Sequence, residues 1–393
     1  MKSLKIPLLL FFFIAHVYAQ KIDVEYKTMV ADPRPETKRI LDISDMELSP
    51  DQKTLAIGRG QGPVLMWDVP GEKFIKAIEV DGYFAGPRIK YGQNGKYLLL
   101  QKMYYTDNNL NKDRSTKIDV LDIESGKVIF NKPDVHDAAL TFDCKYVLTL
   151  SGNNVDIYEL SSRNLVRTIV VEDATNALAV SNDGKTVAVS HKLRAGDIQD
   201  IPSIRDDKKT IKAVLKYRQG ISFYDFESGK RMKTASDIFD IVFNMRYTQD
   251  GKRILVYNAA NTKFQAEAGG KHTVAKNNDA GSSGGEGGRQ GYISQIDATT
   301  GEVLRTIVSS MIAEPDYKES NGNKYLGVSS IEKTPLILIY DMETGDLLNR
   351  FEVTIRLFKD VAASPPAFVF LPDNKTVWLN HGGKIAIWKL PTN

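Results

Sequence analysis

Cysteine is almost missing from this chain of 393 residues, with Cys144 standing alone. No internal disulfide can form, and the Cys-x-x-Cys-His attachment of a c-type haem is excluded. Histidine is nearly as scarce: there are five, none at the His-x-x-x-His spacing of a helical metal pair. No Asp-x-Asp-x-Asp-Gly calcium loop occurs, and no Gly-x-Ser-x-Gly elbow is set between a strand and a helix. The glycine run 281–288 is followed by no Gly-Lys-Ser/Thr, so it is not a phosphate loop. A dominant charge is lacking as well. The 52 basic and 49 acidic residues leave +3, too even for the basic stripe that marks a nucleic-acid binder. Metal, cofactor and nucleic-acid functions are therefore not expected. The hydrophobic fraction of 42% is ample for a packed core.

Long apolar runs are absent except at the start. Lys2 and Lys5 precede the apolar stretch Pro7–Ala15, and Val17-Tyr18-Ala19 supplies a small-residue cleavage site. Residues 1–19 thus read as a secretory signal, with the mature chain starting near Gln20. The stretch is well short of the ~20 residues that span a bilayer, so no membrane span is expected after cleavage. An exported chain without disulfides points to a bacterial periplasm or cell surface.

What the chain does have is a repeat. A polar turn, a Lys and an apolar strand recur seven times, as in Ser49-Pro50-Asp51-Gln52-Lys53-Thr54 and Ser181-Asn182-Asp183-Gly184-Lys185-Thr186. The other five copies place their Lys at 96, 145, 252, 324 and 375. Asp-Gly and Asn-Gly pairs accept the positive φ of tight hairpins, so each turn joins two antiparallel strands. An apolar-aromatic strand, usually closed by an acid, follows each turn: Leu65-Met66-Trp67-Asp68, Asp156-Ile157-Tyr158-Glu159, Leu338-Ile339-Tyr340-Asp341. A glycine turn then leads to another strand, as at Ser228-Gly229-Lys230 and Thr344-Gly345-Asp346. Strands a, b, c and d of this kind make one propeller blade, and seven repeats predict an all-β, seven-bladed β-propeller.

These residues resemble the WD40 and YVTN-type propeller repeats over about residues 36–393. Trp67-Asp68 is the single literal Trp-Asp pair, and the Gly-His dipeptide of the WD40 family is missing. The last repeat stops after its c strand at Trp388, while the segment Glu36–Ile43 precedes the first a strand. That segment is expected to complete the last blade and close the ring. The domain plan is a signal at 1–19, an N-terminal extension at 20–35 and one propeller at 36–393.

Three insertions near 104–114, 191–218 and 258–290 all fall between strands b and c. Propeller geometry sends b–c and d–a links to one face, and loops on a rigid scaffold are where binding surfaces sit. The third insertion is too rich in glycine to bury much. The second holds Leu193, Ile198, Ile201, Ile204, Ile211, Val214 and Leu215, enough to fold back onto the rim. It is also locally basic, which suits an acidic or phosphate-bearing partner. The candidate binding residues are His136, His191, Arg194, Arg205, Lys209, Arg218, His381, Tyr83 and Phe84. The expected function is a non-enzymatic interaction scaffold for a protein, peptide or envelope component. The YVTN resemblance implies an alternative, a lactonase-like hydrolase over the central channel using His136, His191 or His381.

Overall fold

The computed structural model describes residues 20–21, 27–34, 43–59, 62–80, 87–105, 114–259, 291–309, 316–331, 335–352, 366–381 and 383–390. The repeat turns form as their chemistry dictates. In the fourth blade the Ser181 hydroxyl donates to Asp183 (2.6 Å), whose carboxylate accepts the Lys185 N–H (3.0 Å). Ser181 Oγ in turn accepts the Thr186 N–H (2.9 Å), and Gly184 adopts the φ of 71° that closes the turn. Thr141 with Asp143 and Thr248 with Asp250 repeat the arrangement. Cys144 occupies the left-handed position of its turn at φ 56° and is buried there.

At the c–d turns the acid closing strand c takes the same role. Asp122 accepts the Ser125 N–H at 2.7 Å, and Asp225 accepts the Ser228 N–H at 2.7 Å. Hydrogen bonds from those serines hold both carboxyls below the usual carboxylate range.

Seven sheets result, each built on four antiparallel strands in the order a-b-c-d. The inner strands are Ile43–Leu48, Arg88–Tyr91, Asp137–Leu140, Ala174–Val180, Ile241–Tyr247, Tyr317–Glu319 and Phe368–Phe370. The seven-bladed β-propeller is thereby established. Strands b and c read as continuous apolar runs because each blade is buried on both faces. Seven of the buried clusters lie between neighbouring blades: Phe223 packs with Val242 and Met245 between blades 4 and 5, and Phe351 with Phe368 and Trp388 between blades 6 and 7. Among the described residues no helix is long and apolar enough to cross a membrane.

Ring closure uses a different segment from the one expected. Lys27–Val30 pairs antiparallel with the last c strand, Lys384–Lys389, so it is the d strand of blade 7. Of the segment 36–43, residues 36–42 lie outside the described residues, and Ile43 begins the inner strand of blade 1. The closing strand therefore lies within the stretch 20–35 that the sequence suggested was an extension. The residues after it lock blade 7 to blade 1. Trp67 Nε1 donates to the Ala31 carbonyl (2.9 Å), and buried Arg59 pairs with Asp32 (2.6 Å). Arg34 holds the same carboxylate through Nε and Nη2, both at 2.9 Å. Upstream, Gln20–Lys21 runs parallel to the outer strand of blade 6 and gives that sheet a fifth strand.

Removing one partner of a buried ion pair leaves the other charge uncompensated. Asp32→Ala is therefore expected to cost about 3 kcal/mol in urea unfolding, whereas the apolar double replacement Asp32→Leu/Arg59→Met is expected to recover most of that loss.

The blade 4 flap and the channel cluster

The insertion after strand b of blade 4 (Thr186–Lys192) is a folded flap. Leu193 turns inward, a 3-10 turn follows at Ala195–Asp200, and helix α1 spans Lys208–Tyr217. Asp207 caps α1: its carboxylate accepts the N–H groups of Lys209 (3.1 Å) and Thr210 (3.0 Å) and the Thr210 hydroxyl (2.6 Å). Val214 faces inward, while Lys208, Lys209, Lys212 and Lys216 face solvent. Leu193, Ile198, Ile201, Ile204, Val214 and Ile238 form a small core of their own, separate from the seven inter-blade clusters.

Polar ties fix this core to the blades. Asp197, wholly buried, accepts the Arg194 N–H (2.8 Å), pairs with Arg231 of strand d, and lies 3.8 Å from His191 Nδ1. At the far end Arg218 is buried against Asp240, whose other oxygen accepts the Tyr292 hydroxyl (2.6 Å) of blade 5. Above the core lies an open cleft of about 430 Å³, lined by Ala195, Ile198, Gln199, Arg205, Asp206 and Ile211.

The candidate residues separate accordingly. Arg205 and Lys209 are exposed on the flap. Arg194 is part-buried between Glu172 and Asp197. His191 and Arg218 leave the candidate surface, because both are buried structural residues. His191 bonds Ser222 Oγ (2.7 Å) and the Lys192 carbonyl (2.9 Å), and burial pushes its pKa down. His136 is exposed in the link before blade 3, its carbonyl accepting from Gln101 (3.0 Å). The His381 backbone pairs with Lys384, but its side chain lies outside the described residues. Tyr83, Phe84 and the insertion residues 106–113 and 260–290 lie outside them too. The flap thus carries Arg194, Arg205 and Lys209 together.

The sequence reading missed a charge cluster on the inner strands. Lys318 of blade 6 reaches past blade 7 to Asp45 (2.9 Å) and Glu47 (2.7 Å) of blade 1, with Asp316 3.3 Å away. Burial, with Asp45 and Glu47 adding repulsion, raises the Asp316 pKa to about 7 against the pull of Lys318. Burial alone would lower Lys318, yet the three carboxylates hold it above its usual value. A related pattern links adjacent blades: Asp45 accepts the Ile89 N–H (2.7 Å), Asp137 that of Leu178 (2.9 Å) and Asp316 that of Phe368 (3.4 Å). Each Asp sits four residues before the Ser or Thr of its repeat turn, which is the signal that could have found it. Among the described residues no group of three or more His, Cys, Asp or Glu is placed to hold a metal ion.

Comparison with known proteins adds the architecture alone. No family model matches the sequence, and no curated relative does. Among solved structures, hydrazine synthase of Kuenenia stuttgartiensis is similar, with a TM-score of 0.57 and 16% identity. The match covers 92% of this chain and 99% of that one, so the likeness extends across the whole ring. Identity this low shows a shared fold and not a shared activity.

A carboxyl with a raised folded pKa binds its proton more tightly than in the unfolded chain, so its contribution to stability falls as pH rises from about 4 to about 7. Asp316→Asn removes that titration. The variant is expected to gain on the parent protein in urea midpoint across this window, with a constant gap above it. A parent that gains on the variant instead would mean that Lys318 holds Asp316 ionised.

Proposed function

We propose that the chain is an exported binding propeller that docks a protein, peptide or envelope component on the face carrying the b–c links. The observation behind this reading is the blade 4 flap. It has its own core, a capped helix and buried ties to blades 4 and 5, and it presents Arg205 at an open cleft with Lys209 exposed on α1. A merely tolerated insertion needs none of these. The propeller beneath supplies a stiff support, the usual relation between a repeat scaffold and a binding loop.

Export rests on the N-terminal signal. The pairing of Gln20–Lys21 with blade 6 fits a mature chain that begins at Gln20. The WD40/YVTN assignment rests on the repeat pattern, with Trp67-Asp68 as its literal copy.

A second reading, a hydrolase over the channel, has one observation in its favour. Asp316 is a carboxyl held near 7, where a general base operates. The binding reading expects no lactone turnover by the purified protein.

The test of the binding reading is affinity capture from envelope extract, with the mature chain beside a version whose residues 192–217 are replaced by a short Gly-Ser link. A partner retained by the intact chain and lost from the shortened one is the expected result. Identical captures would remove the flap from the function. N-terminal sequencing of the native protein is expected to start at Gln20.

A further inference from the structure

We infer that the flap cleft receives an acidic peptide segment of a partner protein, with an apolar side chain seated in the cleft and its carboxylates on Arg205, Lys208 and Lys212. This deepens the binding reading above and rests on it. Two features of the flap point to that occupant.

The first is the floor of the cleft. Ala195, Ile198 and Ile211 contribute apolar surface, with Gln199 as a polar neighbour. A cleft of this size takes a side chain, not a folded domain. The second is the rim. Lys208 lies three residues before Ile211 and four before Lys212, so the two lysines stand on adjoining turns of α1 beside the cleft wall. Among the described residues, Lys208, Lys209 and Lys212 are exposed and pair with no carboxylate. Across residues 205–216 five cations face two acids, and Asp207 is already committed to capping the helix. Asp206 shares the cleft rim, lies 3.7 Å from Arg205, and competes with an incoming carboxylate for it.

The helix argues against a lipid surface. A helix that lies on a membrane turns an apolar face outward into the acyl boundary. In α1 the exposed residues are all lysines, Val214 is buried in the flap core, and Ile211, Ala213, Leu215 and Tyr217 are half-buried against that core. A flat anionic surface would use the lysines and leave the cleft empty, whereas an acidic peptide uses both.

Fluorescence anisotropy of the full mature chain tests this, using a short labelled peptide in which glutamates flank a leucine. Saturable, salt-sensitive binding is expected. The exposed charge reversal Lys208→Glu/Lys212→Glu is expected to weaken it about tenfold. Ala195→Trp, which fills the cleft and leaves the charge alone, is expected to do the same, and Asp206→Asn to tighten binding. Absence of binding would overturn the proposal, as would binding indifferent to the two lysines or to replacement of leucine by glycine. Vesicles of phosphatidylcholine and phosphatidylserine in equal parts, bound through the same lysines while the peptide is not, would assign the stripe to lipid. Flap-dependent capture of an envelope partner without peptide binding would sink the acidic-peptide inference alone. Capture indifferent to the flap would sink the binding reading beneath it.

Discussion

The structure depends on closing a circle. A blade has two apolar faces, and each is satisfied only by the blade beside it, so six interfaces without the seventh would leave two open. Lys27–Val30 provides the missing strand of blade 7, and the next residues carry the closure into blade 1 through Ala31 with Trp67 and Asp32 with Arg59. Hydrophobic burial drives the assembly, but these directional bonds choose which ends meet. The core between blades 7 and 1 contains Ala31 itself, packed with Met46, Trp67 and Trp378. The N-terminal strand is thus structural material of the ring.

A closed ring explains what the channel cluster and the blade 4 flap can hold. In the channel, the ring holds four charged side chains, Asp45, Glu47, Asp316 and Lys318, at distances of 2.7–3.3 Å from the ammonium outward. On the outer face, it lets a single blade carry a long insertion without losing register, because strands b and c of blade 4 stay paired from Thr186 with Asp225 to Lys192 with Gln219. The flap begins where that ladder ends. Its fixed geometry comes from buried Asp197 and the Arg218–Asp240 pair, two charges neutralised by partners from different parts of the chain.

Much of the fold was legible because a propeller blade is mostly local. Ser181, Asp183 and Gly184 make one turn within six residues, and the acid closing strand c caps the next turn three residues on. The insertion points were legible for the same reason: they lengthen a spacing that is otherwise regular. Closure was legible in principle but not in position, since it joins the two ends of the chain. The segment 36–43 resembles other d strands, and nothing local marks Lys27-Thr28-Met29-Val30 as the better partner for Lys384–Lys389. Burial of His191 and Arg218 was hidden likewise. Polar residues at the ends of an insertion look exposed until Ser222, Asp240 and Tyr292 are known to surround them. Arg205 and Lys209 were legible as surface residues, but the cleft beside Arg205 was not, because it forms between a 3-10 turn and a helix whose packing no spacing rule describes.

The central claim is that the blade 4 insertion is a built part of the scaffold and not a loose loop on it. Amide hydrogen exchange of the intact protein tests this directly, because the amides of Ile211 in α1 and of Arg218 at its C-terminal cap are bonded to the Asp207 and Val214 carbonyls (2.8 and 2.9 Å). The account predicts slow exchange from Ile211 to Arg218, comparable to the strands of blade 4. Complete exchange of that stretch at the earliest time, with the blade strands still protected, would contradict it.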